Sequence, residues 1–112
     1  VLESYPPPGA RQAFSAPTAR RQQQLLAGVV AEGTGREAAP LFVDAAGKTG
    51  TAQTGQFTPG GEEKMNLWFA GFFPASDPEY TVVVLQDGQT GPEHSSAAIF
   101  AQVCQALWLL QQ

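Results

Sequence analysis

The sequence predicts an α+β domain: a three-stranded antiparallel sheet flanked by an N-terminal and a C-terminal helix. Three observations carry that expectation. Apolar residues recur at helical spacing near both ends, at Leu25, Leu26, Val29 and Val30, and again from Ile99 to Leu110. Three runs with strand character lie between them, and the links joining those runs are short. Short links between successive strands mean hairpins, because a parallel return needs a crossover of a dozen residues or more.

In chain order, residues 1–17 are rich in proline and small residues, with Pro6-Pro7-Pro8-Gly9 at the front, and read as an irregular lead-in. The folded portion is then residues 18–112. Pro17 and Thr18 open the first helix, with Thr18 as N-cap. Arg20, Arg21, Gln22, Gln23 and Gln24 mostly form its wet side. Gly33-Thr34-Gly35 ends it, with glycine expected in the left-handed conformation past the last turn. Residues 41–53 read as the first strand and residues 54–64 as a polar loop with Pro59-Gly60-Gly61 at its tip. Residues 66–73 are apolar on both alternating faces, through Leu67, Phe69 and Phe73 on one and Trp68, Ala70 and Phe72 on the other. The stretch from Tyr80 to Gln86 repeats that pattern with Val82 and Val84 against Val83 and Leu85. Strands apolar on both sides belong inside a sheet covered on both faces. Ser95 or Ser96 caps the last helix, whose wide stripe of Ile99, Phe100, Val103, Cys104, Leu107 and Trp108 suits it to lie flat on that sheet.

Composition narrows the function classes. The 112 residues are 43% hydrophobic and 14% charged, the balance of a folded chain. The net charge of −4 and scattered Lys and Arg give no basic footprint for nucleic acid. A single cysteine, Cys104, excludes an internal disulfide and sits in an apolar stripe, where it reads as a small buried hydrophobe. No run of membrane-spanning length occurs, and no metal or cofactor motif is present. Without an initiator methionine the chain reads as a piece of a longer protein, with any anchor outside it.

The residues that carry chemistry are Lys48-Thr49-Gly50-Thr51 within the first strand. Lysine supplies a fixed positive charge, and the two hydroxyls donate in directions the strand sets. Glycine lets a ligand backbone lie flat against the chain. Together they suit a carboxylate or an acyl oxygen. A plain exposed edge strand also uses Lys and Thr, but Gly47 and Gly50 bracket the lysine, and glycine weakens a strand unless something must approach closely. Gly47-Lys48-Thr49 also matches the end of a P-loop. That motif needs a glycine at position 42, where Phe42 stands, and a helix directly after the Lys-Thr.

With these motifs in this order, the chain resembles the C-terminal part of the transpeptidase domain of a monofunctional, class B penicillin-binding protein. The resemblance spans about residues 13–110. It rests on Val29-Val30 with Gly33-Thr34-Gly35, on Ala46-Gly47-Lys48-Thr49-Gly50-Thr51-Ala52-Gln53, and on Trp68-Phe69-Ala70-Gly71-Phe72 with Pro74, Pro78 and the strand 80–85. Lys-Thr-Gly is one of three signatures of such serine acyl enzymes. It implies a piece of the penicillin-binding and serine β-lactamase-like fold: a five-stranded antiparallel sheet sandwiched between helices, beside a helical subdomain. This chain would supply three strands and two helices.

The resemblance also implies roles. Lys48 and Thr51 would act in catalysis, Lys48 through its charge in the cleft and Thr51 through its N–H as one arm of an oxyanion hole. Thr49 and Thr51 would hydrogen-bond a terminal carboxylate, Gly50 would keep the strand open, and Gln53 would line the cleft. The partners would be peptidoglycan stem peptides and β-lactams, with no cofactor, at the extracytoplasmic face of the bacterial membrane. The reaction would be acyl transfer from a D-Ala-D-Ala stem through a serine ester.

The chain departs from the family pattern in having no Ser-x-x-Lys and no Ser-x-Asn, so by itself it carries no nucleophile. A non-catalytic penicillin-sensing or cell-wall-binding module with the same sheet is the alternative of another class. A carboxypeptidase or a β-lactamase is the rival among enzymes. Two further expectations follow. His94, alone of its type, is a surface residue of the capping region. The strand 80–86, deprived of its N-terminal neighbour, offers an apolar edge for self-association.

Overall fold

The computed structural model describes residues 4–33 and 35–111. It shows α1 (Ala16–Glu32), a 3-10 turn (Arg36–Ala38), β1 (Ala46–Phe57), β2 (Glu63–Phe73), β3 (Tyr80–Gln89) and α2 (Ser96–Leu110). The sheet has the order β1-β2-β3 with both pairings antiparallel, which is the predicted class. Thr34 of the Gly33-Thr34-Gly35 stretch lies outside the described residues.

α1 starts two residues earlier than predicted, and its cap is Ser15, not Thr18. The Ser15 hydroxyl accepts from the Thr18 N–H at 3.3 Å and donates to Thr18 Oγ1 at 3.0 Å, with Pro17 in the first turn. Gly33 closes the helix in an extended conformation (φ −104°) rather than a left-handed one. Its glycine is needed for closeness instead: the N–H groups of Gly33 and Gly35 both donate to the Val29 carbonyl, and a Cβ on Gly33 would lie 3.1 Å from that oxygen. Gln23, predicted on the wet side, is half-buried and donates to the Ala75 carbonyl at 2.6 Å.

Strand ends move for identifiable reasons. β1 begins at Ala46, not Leu41, because its partner strand runs out: Ala46 pairs with Phe72, and Pro74, just beyond, has no N–H for a ladder. Residues 41–45 bond elsewhere, Leu41 N–H to Gln105 Oε1 at 3.1 Å and Asp44 C=O to the Ala75 N–H at 3.0 Å. At the other end β1 and β2 continue through most of the predicted loop. Polar side chains stand in for ladder bonds there: Thr54 donates to the Lys64 carbonyl and accepts from the Gln56 N–H, and Glu63 accepts from the Gly55 N–H. β3 extends to Gln89 through a bulge, which Asn66 supports by accepting from the Gly88 N–H at 2.9 Å.

Cross-strand register assigns the faces. Gly47, Gly71 and Val82 share one face with Thr49, Phe69 and Val84. Both helices pack on it. Phe69, Phe73, Phe100 and Cys104 are its fully buried centre, with Val30 of α1 joining them. The Phe69 and Phe100 rings meet at 4.6 Å between centroids, and Phe73 stacks on Tyr80 at 5.1 Å. The opposite face carries Lys48, Trp68, Ala70, Val83 and Leu85, all exposed. The predicted cover on both faces is therefore found on one. Trp68, expected in the core, is 39% exposed, whereas Trp108 packs against the core cluster.

Cys104 fits its predicted role. Burial pushes its thiol up to about 12. Since the folded value lies above the unfolded value of about 8.5, the chain keeps its full stability below that pH and loses it as pH rises toward the folded value. Alkylation with iodoacetamide at pH 8.5 should accordingly be slow in the folded chain and fast in denaturant. Equal rates in both would contradict the burial of Cys104.

Candidate functional site

The Lys48–Thr51 segment lies on β1, which pairs only with β2 among the described residues and so forms a sheet edge. Because side chains alternate along a strand, Lys48 and Gly50 project to the uncovered face, and Thr49, Thr51 and Gln53 to the helix-covered one. Lys48 is exposed, and its Nζ donates to the Thr49 carbonyl at 3.2 Å and to Thr49 Oγ1 at 3.3 Å. The ammonium thus reaches round the strand to the hydroxyl of the next residue. Positive charge and hydroxyl converge on one spot although their side chains leave opposite faces.

The two bracketing glycines serve different ends. A Cβ on Gly47 would sit 2.5 Å from Phe69 Cε1 and 2.7 Å from the Ala70 carbonyl, so Gly47 makes room for the chain's own core. A Cβ on Gly50 would meet only Trp68 Cβ, at an ordinary 3.6 Å. The fold leaves Gly50 open, and its bareness is available to a ligand.

A cavity of about 270 Å³ adjoins the segment, walled by Thr49, Gly50 and Thr51 on one side and by Glu37, Ser95 and Ser96 on the other. Ser95 caps α2, accepting from the Ala98 N–H at 3.0 Å and donating to Glu37 Oε2 at 2.6 Å. Ser96 donates to the Leu67 carbonyl at 2.7 Å and accepts from Gln86 Nε2 at 3.0 Å. These bonds fix the start of α2 over the middle of β2 and the adjoining part of β3. The structure therefore brings Thr49, Gly50 and Thr51 together at the cavity wall and connects Lys48 to them through Thr49, while Gln53 lies farther along β1, outside that wall.

Glu37 and Ser95 were not anticipated as wall residues. Ser95 was visible in the sequence as a helix cap, but nothing in the spacing brings position 37 to it. A larger hollow of about 550 Å³ lies between α1 and the 75–78 turn and holds none of the predicted site residues. His94 is at the surface, with Nε2 3.9 Å from Glu93 Oε1. Among the described residues no group of three or more His, Cys, Asp or Glu converges as a metal site, and no helix is long and apolar enough to cross a membrane.

A helix-backed antiparallel sheet with a Lys-Thr-Gly-Thr edge strand defines a piece of the penicillin-binding type of α+β domain. Residues 3–105 match the family "Penicillin binding protein transpeptidase domain", and the chain belongs to that family. Penicillin-binding protein PbpB of Mycolicibacterium smegmatis is 34% identical over 128 residues, covering 100% of this chain and 19% of the relative. Stage V sporulation protein D of Bacillus subtilis is 35% identical over 103 residues, covering 92% of this chain and 16% of the relative. The chain thus spans under a fifth of the length of these relatives. Penicillin-binding protein 3 of Mycobacterium tuberculosis, solved with ampicillin, superposes with a TM-score of 0.72 at 34% identity, over 97% of this chain and 24–27% of the solved chains when the next example is included. That example, the D,D-transpeptidase domain from Eggerthella lenta, gives a TM-score of 0.69 at 37% identity over 96% of this chain. The chain is a fragment of the class B penicillin-binding fold, as its motifs indicated.

Proposed function

We propose that the chain is the edge-strand portion of a peptidoglycan D,D-transpeptidase, which cross-links D-Ala-D-Ala stem peptides through an acyl-serine intermediate and is acylated by β-lactams. The observation that carries this is the exposed Lys48-Thr49-Gly50-Thr51 strand at a sheet edge, beside a cavity and with Gly50 bare. The relative of known structure bound to ampicillin supports the choice of ligand class. Lys48 supplies the charge that draws an anionic ligand and stabilises negative charge during acyl transfer. The hydroxyls of Thr49 and Thr51 hold the terminal carboxylate. The Thr49 carbonyl accepts the Lys48 ammonium. Amide groups two residues apart face the same side of a strand, so the Thr51 N–H shares that side and is suited to an oxyanion. Gln53 serves the outer part of the cleft. The working location is the extracytoplasmic face of the cell membrane.

Because the nucleophilic serine is absent from these 112 residues, the chain alone is inactive. A fluorescent penicillin should leave the isolated chain unstained after denaturing electrophoresis, and should stain a full transpeptidase domain that contains it. Covalent staining of the isolated chain would refute this reading. The uncovered face and the outer edge of β3, with Val83 57% and Leu85 45% exposed, favour self-association of the chain on its own. Sedimentation that rises with concentration is the expected sign, and a strict monomer throughout would count against it.

A further inference from the structure

From the bonds around the first turn of α2 we infer that Ser96 is a positioning residue for the edge strand: it acts through Leu67 to hold Thr51, and with it the Thr51 N–H, in place for acyl transfer. The inference rests on the proposed reading of that N–H as one arm of an oxyanion hole. Ser96 is the buried polar residue of the fold among those described, with 6% of its surface exposed. Its hydroxyl is used in both directions, donating to the Leu67 carbonyl at 2.7 Å and accepting from Gln86 Nε2 at 3.0 Å. Gln86 Nε2 also donates to the His94 carbonyl at 3.0 Å, so that amide group is held at two points. One hydroxyl therefore ties α2 to both β2 and β3. It does so where the ladder is interrupted. The β2–β3 register slips between Met65, which pairs with Gln89, and Leu67, which pairs with Gln86. A bulge disrupts pairing locally, so backbone bonds alone set the strand less firmly there. Leu67 is also the register partner of Thr51 across β1 and β2, and both wall the cavity of about 270 Å³. Among the described residues β1 has no second neighbour, so its place in the sheet rests on β2. Dependence thus runs from Ser96 to Leu67 to Thr51. A reacting geometry misplaced by about 1 Å can cost about 100-fold in rate, so support from outside the reacting groups has a measurable effect.

The test uses a complete transpeptidase domain containing this chain. It measures the limiting rate of acylation by a fluorescent penicillin, the penicillin concentration at half-saturation, and the melting point. Ser96→Ala should lower the limiting rate about 10-fold, short of the about 100- to 1,000-fold of losing an oxyanion donor outright, and leave the half-saturating concentration unchanged. Ser96→Thr keeps the hydroxyl and should recover most of that rate. Gln23→Ala is the control, because it removes a bond to the Ala75 carbonyl outside the cavity wall. It should lower the melting point and leave both acylation parameters unchanged. Should Ser96→Ala not fold, Gln86→Met takes away the donor to the Ser96 hydroxyl and should lower the limiting rate about 3-fold. An unchanged limiting rate in the variant that folds overturns the inference and leaves Ser96 as a partner for the Leu67 carbonyl only. If Lys48→Met acylates slowly in that case, the acyl-transfer reading of β1 stands without Ser96. If Lys48→Met also acylates at the unchanged rate, that reading has failed too.

Discussion

Gly71→Ala is expected to be the most damaging single change to the fold. A Cβ at this position would overlap the Ala46 carbonyl and lie 2.8 Å from Phe100 Cζ. Neither neighbour can give way. The carbonyl belongs to β1 at the point where the strand starts, and Phe100 is fully buried and packed on Phe69. Overpacking of this kind costs about 1–3 kcal/mol, and more where backbone blocks relaxation. In a chain of this size each kcal/mol moves the midpoint by about 4–8 °C, so a fall of roughly 10–20 °C is expected in thermal unfolding followed by circular dichroism. Gly50→Ala is the control. Its new methyl meets Trp68 Cβ at an ordinary 3.6 Å, and its effect should stay within about 0.5 kcal/mol. Equal losses from the two substitutions would show that both glycines serve strand geometry alone and would remove the distinction drawn between packing and access.

That distinction marks where sequence reading stopped. The pattern of Leu67, Phe69 and Phe73 against Trp68, Ala70 and Phe72 gave the existence and direction of β2, since a period of two needs no tertiary knowledge. It could not say that one of the two apolar faces would be bare, because cover is a property of other elements. Both glycines of Gly47-Lys48-Thr49-Gly50 looked alike, and the approach of the Phe69 ring and the Ala70 carbonyl to Gly47 separates them. Strand ends were misplaced where side chains replace ladder bonds, as Thr54 and Asn66 do, and such substitutions leave no periodic trace. In the site, Lys48 to Thr51 were legible because their chemistry is local. Glu37 was not, because a contact 58 residues away in sequence, with Ser95, places it.

Lys48→Met should have the largest functional effect, and it should do so without disturbing the fold. The Lys48 side chain is exposed, and its hydrogen bonds go only to the adjacent Thr49, so the melting point should shift by no more than an ordinary surface substitution allows. On the proposed reading, its removal takes away the positive charge next to the hydroxyls that would hold the ligand's carboxylate, and next to the edge where negative charge would develop on the acyl oxygen. Loss of one such group from a site of this type costs on the order of 100- to 1,000-fold in rate. In a complete transpeptidase domain containing this chain, the rate of acylation by a fluorescent penicillin should therefore fall by that factor. Lys48→Arg should recover only part of it. The planar guanidinium retains the charge but spreads it and delivers its donors in a fixed fork, unlike the compact ammonium that now donates to Thr49 Oγ1. Raising the salt concentration should slow the unchanged domain and leave Lys48→Met almost unaffected, because screening acts on a charge the variant no longer has. An acylation rate preserved in Lys48→Met would mean that the ammonium merely braces its own strand, and the electrostatic account of this edge would have to be abandoned.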